Sequence, residues 1–464
     1  MSEIKEECGL FGIWDNPDAA EIAYIGIFSL QHRGEESAGM ATTDGEHIRF
    51  HKGMGHIGDV FTTPILERLS NPAAIAHTRY STTGSSNLNN SQPLIVSGSK
   101  GKVALAHNGN ITNSRALRDE MEAYGSIFAT TNDSEILLHL ISQPKYGQFK
   151  PSLKEALTRL EGAYSMLLLT PTSMTAVRDP GGFRPLSIGR LRDSIVFSSE
   201  SCSFDTIGAE FERDVMPGEM VYVDATGLYS EMFAPADAIN PSHCIFEHVY
   251  FARPDSLVFG QNVHFTRVAM GRQLAREYPV EADIVISIPD SGNSAALGYS
   301  LESGIPLDHG FIRNHYVGRT FIQPHQSLRE KGVSIKLNAV AEVIRNKRVV
   351  VVDDSIIRGT TSQSRVAALR RAGAKEIHFR VSCPPTKFGC FYGIDFPNPE
   401  FLIANRKTPV EIARHLKVES LGYLSIDGLL GCLTKPPTSY CTACFSGNYP
   451  EPVRESLDKL DLEQ

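Results

Sequence analysis

The clearest hydrophobic pattern lies in the second half of the chain, where valines at 349–352 form a continuous apolar run. A β-branched run of this kind is typical of a strand covered on both faces of a parallel sheet. Asp353 and Asp354 end the run, and a loop rich in hydroxyl side chains follows. Apolar residues then recur at helical spacing across 366–372, and Gly373 suits the end of that helix. The pattern predicts a strand, an acidic pair, a loop and a helix.

The first half shows a different pattern, in which short apolar runs alternate with turns. The runs at 165–169, 194–198 and 219–223 are separated by Pro-Gly turn signals. This alternation predicts sheet structure that completes an α+β sandwich. The Ala/Pro-rich stretch 233–241 is the best candidate for a link between domains, and its shortness predicts that the two domains are closely coupled.

Length and composition limit the class of protein. The 464 residues predict two or three domains, which we place at 8–235 and 242–464. A net charge of −8, from 45 basic and 53 acidic residues, argues against broad nucleic-acid binding. No apolar run approaches the roughly 18 residues of a membrane span, and the acidic N-terminus is no signal peptide. We therefore expect a cytosolic protein whose eight cysteines are not paired in disulfides.

The strand, acidic pair and helix have the order expected of a sugar-phosphate site. The first N–H groups of a helix are unpaired and favour a phosphate. Gly359 allows close approach of the backbone, and hydroxyl groups at 360–362 add donors. The carboxylates of Asp353 and Asp354 would repel a phosphate, so they better suit ribose hydroxyls or Mg²⁺. The alternative is a buried strand with a solvated acidic end.

The sequence VVVVDDSIIRGTTS at 349–362 resembles the signature of the type I phosphoribosyltransferases, which bind 5-phosphoribosyl-1-pyrophosphate (PRPP). The resemblance implies an α/β domain in which the acidic pair contacts ribose and metal and the next loop holds the 5-phosphate. It assigns to PRPP the residues Asp353, Asp354, Ser355, Arg358, Gly359, Thr360, Thr361 and Ser362. It also makes Ser291 a candidate Mg²⁺ ligand together with the acidic pair, although Pro-Asp-Ser-Gly at 289–292 is equally compatible with a simple turn.

Cys8 precedes an apolar pattern at 9–13 and would by itself be interpreted as a core thiol. Three further stretches change this interpretation: LQHRGEESAG at 30–39, AHTRYSTTG at 76–84 and AHNGN at 106–110. With Cys8 they resemble the glutaminase domain of the N-terminal-nucleophile (Ntn) amidotransferases. There a thiol attacks the glutamine amide, and the α-amino group of the same residue, with an ordinary pKa of about 7.7–8.0, acts as base. We therefore predict a propeptide at 1–7, cut before Cys8.

The same resemblance assigns the remaining glutaminase residues. Asn108 and Gly109 would form an oxyanion hole, Arg79 would bind the α-carboxylate of glutamine, and Asp133 would bind its α-amine. Each motif also has a simpler explanation. Asn-Gly is the strongest signal of a type I′ hairpin turn, which is compatible with the oxyanion role. Asp133 taken alone is better explained as the N-cap of a helix that contains the apolar residues of 136–140.

A basic stretch at 313–336 contains Lys331 and a single acid, Glu330. A solvated loop is one interpretation. The resemblance favours a lid that closes over the diphosphate and excludes water. We therefore expect Lys331→Ala to impair PRPP-dependent synthesis more than glutamine hydrolysis.

Four cysteines of the second half are candidate metal ligands. Cys441 and Cys444 form a C-x-x-C pair without a second such pair, which excludes a self-contained zinc ribbon. Spacing alone leaves both Zn²⁺ and an iron–sulfur cluster open. Cys244 and Cys390 match ligand positions of family members that carry a 4Fe–4S cluster, so the resemblance favours the cluster. We assign the other thiols to packing: Cys202, Cys383 and Cys432.

Together the two motif sets resemble the amidophosphoribosyltransferase family, in its iron–sulfur, propeptide-bearing form. This implies that ammonia from glutamine passes inside the protein to PRPP, releasing pyrophosphate and forming 5-phosphoribosylamine and glutamate. Such a reaction is the first committed step of de novo purine (IMP) synthesis. The resemblance also implies Mg²⁺, inhibition by purine nucleotides and a homotetramer.

Two functions from other classes fit the sequence less well. A PRPP-sensing regulator would lack an intact glutaminase half and would usually carry a DNA-binding module, of which the sequence shows no sign. A different glutamine-dependent transferase would explain Cys8 but would leave Asp353 and Asp354 without a purpose.

Overall fold

The computed structural model describes residues 8–80, 85–98, 101–143, 148–314, 337–396, 398–452 and 462. The predicted propeptide at 1–7 and Lys331 lie outside these residues. Within the described part of the chain, no helix combines the length and the apolar character that a membrane crossing requires.

Two antiparallel sheets, packed face to face, form the first half of the chain. The strands are β1 (Gly9–Trp14), β2 (Ser37–Thr43), β3 (Ile48–Met54), β4 (Ala73–Arg79), β5 (Leu94–Gly98), β6 (Gly101–Ile111), β7 (Gly162–Leu169), β8 (Ser173–Arg178), β9 (Ser187–Leu191), β10 (Ser194–Ser198), β11 (Glu210–Asp214), β12 (Glu219–Asp224) and β13 (Gly227–Met232). One sheet has the order β11-β9-β10-β1-β4-β2-β3 and the other the order β13-β12-β8-β7-β6-β5. The predicted strands of this half are confirmed.

Both sheets contribute apolar side chains to a core between them. Leu10 and Ile75 from one sheet lie in the same buried cluster as Ala104 and Leu167 from the other. Helices cover the outer faces: α1 (Ala19–Ser29), α2 (Ile57–Val60), α3 (Thr63–Arg68), α4 (Ser114–Ala123), α5 (Glu135–Ser142), α6 (Phe149–Leu157) and α7 (Cys202–Ile207). A 3-10 turn at Gln31–Arg33 follows α1. The arrangement is the α+β sandwich that the pattern predicts.

A parallel sheet forms the centre of the second half. The strands of this half are β14 (His243–Cys244), β15 (Leu257–Val258), β16 (Gln261–Asn262), β17 (Ile284–Ser287), β18 (Phe311–Arg313), β19 (Leu337–Ala339), β20 (Arg348–Asp353), β21 (Glu376–Val381), β22 (Ser420–Tyr423) and β23 (Tyr440–Cys441). Four of them make the sheet β17-β20-β21-β22, and all its pairs are parallel. The valines at 349–352 are fully buried in β20, which confirms the predicted strand.

Helices pack on this sheet, as in an α/β domain. They are α8 (Val263–Glu277), α9 (Asn293–Ser303), α10 (Ala341–Ile344), α11 (Thr360–Arg371), α12 (Ile403–Arg406), α13 (Pro409–Leu416), α14 (Ile426–Leu430) and α15 (Ala443–Ser446). One π-helical turn spans Glu247–Phe251, and 3-10 turns occur at Pro399–Phe401 and Pro437–Ser439. Gly373, with φ of +92°, follows the end of α11 as predicted. β17 ends at Ser287, and Pro289 just beyond it has no N–H to donate to a neighbouring strand.

Candidate active sites

Cys8 lies at the head of β1, in the middle of the seven-stranded sheet. It is buried, and its Sγ donates to the carbonyl oxygen of Tyr80 at 3.4 Å. In the β1–β4 register Gly9 is opposite Thr78, which brings Cys8 next to Arg79 at the end of β4. A thiol and a guanidinium are therefore neighbours at the ends of two central strands.

Arg79 lies between the thiol and a carboxylate. It is 2% exposed, and one guanidinium nitrogen donates to the carbonyl of Ser85 at 3.3 Å. Burial lowers its pKa, and the negative charges of Cys8, Glu36 and Asp133 partly oppose that shift. An arginine in this environment suits a carboxylate ligand beside Cys8.

Asn108 and Gly109 lie inside β6, in the facing sheet. The hairpin alternative for this pair is wrong, since β6 runs from Gly101 to Ile111 and continues through both residues. Gly109 pairs with Tyr164 of β7 and has φ of +146°. The Nδ2 of Asn108 is buried and has no hydrogen-bond partner among the described residues. An orphaned donor of this kind costs free energy unless a ligand pairs with it.

Asp133 is buried beside β6 and does not cap a helix. The N-cap alternative is wrong: α5 begins at Glu135, and no side chain caps it. The carboxylate of Asp133 accepts a hydrogen bond from the N–H of Ile111 at 2.9 Å, and it lies 3.8 Å from Nδ1 of His107. Because this bond fixes the side chain against β6, Asp133 is oriented by the same strand that carries Asn108.

Two buried histidines that the sequence interpretation did not single out join the sheets beneath this site. Nε2 of His77, on β4, donates to the carbonyl oxygen of His107, on β6, at 3.0 Å. Burial lowers the pKa of His77 to about 3, so its ring is neutral at physiological pH. His77 and His107 lie in the same sequence motifs as Arg79 and Asn108. No sequence signal, however, indicates that the two histidines contact each other across two sheets.

A buried ionic cluster connects the backbone of Cys8 to a residue of the second half. The guanidinium of Arg33 donates to the carbonyl oxygen of Cys8 at 3.1 Å, to Glu200 at 2.5 Å and to Glu247 at 2.7 Å. Burial would raise the pKa of Glu200, but His32 and Arg33 outweigh it and hold the pKa far below the usual value. Sequence reasoning missed this cluster because its acids are far apart in the chain.

A second site lies at the carboxyl ends of the parallel strands. A cavity of about 910 Å³ opens there, and the acidic pair at the end of β20 and the N-terminus of α11 line it. The predicted PRPP residues that line it are Asp353, Asp354, Ser355, Arg358, Gly359, Thr360, Thr361 and Ser362. Gly359 has φ of +82°, and α11 has no side-chain cap at its N-terminus. The structure thus brings together every described residue that the sequence assigned to PRPP.

Several arginines outside the set assigned to PRPP surround this acidic pair. Arg365 of α11 donates to Asp353 at 2.8 Å. Burial lowers the pKa of Arg267 to about 10, and the charge of Asp354 opposes this shift. The lining also contains Arg253, Arg313 and Arg371. A cavity with carboxylates on one wall and several guanidinium groups suits an anionic, polyhydroxylated ligand.

Ser291 lies in the wall of the same cavity, in the loop between β17 and α9. Its neighbour Asp290 forms an ion pair with Arg313. The structure therefore brings Ser291 to the cavity of Asp353 and Asp354, while Lys331 falls outside the described residues.

The four candidate ligand cysteines lie together near the junction of the two halves. Cys244 pairs with Cys441 where β14 and β23 run parallel. Burial raises the pKa of the Cys444 thiol well above its ordinary value, and the nearby thiols of Cys441, Cys244 and Cys390 add to this shift. Across the described residues, no three His, Cys, Asp or Glu side chains are placed to hold a metal ion.

Similarity to known proteins agrees with both sites. The model of the glutamine amidotransferase domain matches residues 77–206. The amidophosphoribosyltransferase of Bacillus subtilis is 48% identical over 461 residues, which cover 98% of this chain and 96% of the relative. The chain belongs to the amidophosphoribosyltransferase family. It is therefore an enzyme of purine biosynthesis that transfers ammonia from glutamine to PRPP.

Solved structures of similar proteins show the same fold. One, described as the allosteric regulatory enzyme of purine biosynthesis, superposes with a TM-score of 0.93 at 46% identity and covers 97% of this chain and 98% of its own. Another is the glutamine PRPP amidotransferase of B. subtilis in complex with ADP and GMP, with a TM-score of 0.91, 46% identity and coverage of 97% and 98%. The Ntn glutaminase sandwich followed by an α/β phosphoribosyltransferase domain is confirmed.

Proposed function

We propose that Cys8 is the nucleophile that cleaves glutamine and that Arg79 and Asp133 bind the α-carboxylate and α-amine of this substrate. The contacts that support this are the location of Arg79 beside Cys8 and the fixed orientation of Asp133 on β6. The thiolate attacks the amide carbon, and the α-amino group of Cys8 takes the thiol proton and returns it to the leaving ammonia. Water then hydrolyses the thioester to glutamate.

The unpaired amide of Asn108 carries this proposal. Nδ2 of Asn108 and the N–H of Gly109 would donate to the oxygen that becomes negative when the thiol attacks. A buried donor without a partner among the described residues is destabilising in the free enzyme, and an oxyanion would satisfy it.

Asn108→Ala tests the oxyanion assignment. Loss of one oxyanion donor lowers kcat by about 10²–10³-fold, and we expect that decrease in glutamine hydrolysis with little change in KM. Synthesis from PRPP and added ammonia should be unchanged. The control is Asn113→Ala, which removes the hydrogen bonds of the Asn113 side chain with the backbone of Arg159 and Glu161, beyond the end of β6. Equal activity of the Asn108 variant and the parent enzyme would reject the assignment.

In the second half, we propose that Asp353 and Asp354 contact the ribose and that residues 355–362 hold the 5-phosphate of PRPP. The uncapped N-terminus of α11, the positive φ of Gly359 and the buried Nε of Arg358, which has no hydrogen-bond partner among the described residues, support the phosphate site. The predicted role of Lys331 as part of a lid remains a proposal. Incubation with glutamine, PRPP and Mg²⁺, followed by assay of pyrophosphate, tests the complete reaction; the absence of pyrophosphate would contradict it.

The oxygen ligands in this cavity fit Mg²⁺. Mg²⁺ is commonly held by one or two carboxylates together with substrate phosphates, so a complete protein cage is not needed. Asp353 and Asp354, with Ser291 in the same cavity, would hold the ion. When bound, it would offset the charge of the departing pyrophosphate.

The cysteines fit an iron–sulfur cluster better than Zn²⁺. A single zinc ion needs four ligands, with sulfurs about 2.3 Å from one point, and no such convergence occurs among the residues that the structure describes. A 4Fe–4S cluster separates its thiolates more widely, and its irons would balance the negative charge of four neighbouring thiolates, two of which, Cys244 and Cys444, are buried. We therefore propose Cys244, Cys390, Cys441 and Cys444 as its ligands. Iron and zinc analysis of the purified protein distinguishes the two.

Several finer assignments belong with this proposal. We propose domains at 8–235 and 242–464 and removal of residues 1–7, which N-terminal sequencing of active enzyme would check. Inhibition by purine nucleotides is supported by the similar B. subtilis enzyme in complex with ADP and GMP. The proposal of a homotetramer rests on family resemblance alone, and sedimentation analysis would test it.

A further inference from the structure

A short segment of the second half, residues 391–393, lies against the strand that carries Asn108 and Gly109. The side-chain amide of Asn110 donates to the carbonyl oxygen of Phe391 at 2.9 Å. The guanidinium of Arg184 donates through two nitrogens to the carbonyl oxygen of Tyr392, at 3.0 and 2.6 Å. The backbone of this segment is thus held by side chains of the glutaminase half.

Gly393 makes the closest approach, backbone against backbone. A Cβ atom placed on Gly393 would lie 3.0 Å from the carbonyl carbon of Gly109 and 3.1 Å from its Cα and its oxygen. On Gly109 itself, a Cβ would lie 2.0 Å from the carbonyl oxygen of Ala163 in β7. Gly109 is therefore confined between its neighbouring strand and a residue from the other half of the chain.

The segment is itself firmly anchored. The ring of Tyr392 stacks on Phe183, with 4.2 Å between ring centroids, and Tyr392 is buried. The hydroxyl of Tyr392 donates to the backbone oxygen of Glu451, whose carboxylate accepts the N–H of Gly162. Gly162 pairs with Ile111 at the end of β6. The contact on Gly109 thus belongs to a set of contacts that encloses this end of the strand.

We propose that Gly393 is a positioning residue for glutamine cleavage, which acts by fixing the orientation of the Gly109 peptide. This inference rests on the proposed oxyanion role of Gly109. An oxyanion donor is effective only at about 2.7–3.1 Å from the developing charge, and a misplacement of about 1 Å can cost about 10²-fold in rate. A glycine is required at 393 because a methyl group there would displace the Gly109 peptide, and because φ of Gly393 is +102°.

Gly393→Ala in the full-length holoenzyme tests the proposal. A shift of a few tenths of an ångström should lower kcat for glutamine hydrolysis by about tenfold and leave KM for glutamine nearly unchanged. Synthesis from PRPP and added ammonia should keep the parent rate, because it bypasses the oxyanion hole. The matched control is Gly101→Ala, with nearly the same φ of +101° but, apart from its chain neighbours, no atom of the described residues within 4 Å of the added methyl group. That variant should retain full glutaminase activity.

Asn110→Ala supplies a second variant that adds no bulk. It removes the hydrogen bond to Phe391 and should lower kcat in the same direction but by a smaller factor. An equal loss of ammonia-driven synthesis and glutamine hydrolysis in both variants would overturn the proposal, since the contact would then serve folding alone. Unchanged glutaminase in both would also overturn it. If Asn108→Ala loses glutaminase activity while Gly393→Ala and Asn110→Ala keep it, only the role of Gly393 is rejected. If Asn108→Ala keeps the parent glutaminase activity, the oxyanion hole itself is rejected.

Discussion

The two candidate sites of this enzyme are built in opposite ways. In the glutaminase half, Arg79, Asn108 and Asp133 are each at most 4% exposed and lie on or against long antiparallel strands. In the transferase half, a cavity of about 910 Å³ is bordered by loops, carboxylates and several arginines. The first site is therefore fixed by backbone hydrogen bonds before substrate arrives, whereas the second depends on charges that an anionic ligand must balance. Substitutions in each site and at the junction between the halves test this contrast.

The largest effect is expected from Cys8→Ala. Without the thiol, glutamine hydrolysis should fall by more than about 10³-fold, while synthesis from PRPP and added ammonia should continue. Rates of glutamate release and of pyrophosphate release, measured side by side, check this. Matching losses in both would mean that the two sites cannot be separated as the fold indicates.

Asp354→Asn should produce the opposite selectivity. Removing one charge from the acidic pair should lower PRPP-dependent synthesis by about 10²-fold with either nitrogen source, and glutamine hydrolysis should persist. The control is Asp427→Asn at an exposed site in α14. A synthesis rate close to that of the parent enzyme would show that the acidic pair has no role in PRPP binding.

Glu247→Ala tests the junction instead of either site. It leaves Arg33 and Arg184 without one buried carboxylate partner, and breaking a buried ion pair costs about 3–5 kcal/mol. Chemical denaturation should show this loss. Glu302→Ala, which breaks the solvent-accessible ion pairs with Arg272 and Arg276, should hardly change the stability. If the two substitutions had equal effects, the buried cluster would not contribute to holding the halves together.

The smallest effect is a dependence of stability on pH. Burial, with the charge of Asp179, raises the pKa of Glu451 to about 7 from an ordinary 4.5. The folded protein therefore favours the protonated acid, and its stabilising contribution, complete below pH 4.5, is lost as the pH rises through about 7. Thermal midpoints between pH 5 and pH 8 should decrease less steeply in Glu451→Gln than in the parent; parallel curves would contradict this.

The sequence alone predicted those parts of the fold and of the candidate sites whose residues are neighbours in the chain. The valine run and the acidic pair after it are contiguous, so the strand and the loop of the proposed phosphate site could be predicted without tertiary information. Local rules failed at Asn108-Gly109 and at Asp133. The turn predicted for Asn108-Gly109 is replaced by strand pairing with β7, and the helix cap predicted for Asp133 is replaced by a hydrogen bond from Ile111. The Ntn resemblance, which combines distant stretches, assigned those residues to a shared site when local propensity did not.

What the sequence could not predict are contacts between residues far apart in the chain. Arg33 meets Glu200 and Glu247 more than 160 residues away. No motif around these residues or around Gly393 indicates which residue each of them contacts. A glycine in a loop is common for reasons of turn geometry alone. Such contacts depend on the packing of the two halves, which periodicity does not encode.

The contact between Gly393 and Gly109 has a consequence for the order in which the protein is made. A ribosome produces all the glutaminase strands well before it reaches residue 391, and N-terminal domains generally fold first during synthesis. The nascent sandwich therefore forms with this end of β6 uncovered, and only a nearly finished chain can cover it. A polypeptide whose translation stops early would lack the contacts that enclose Gly109, so a truncated product would not possess the same glutaminase site as the complete enzyme.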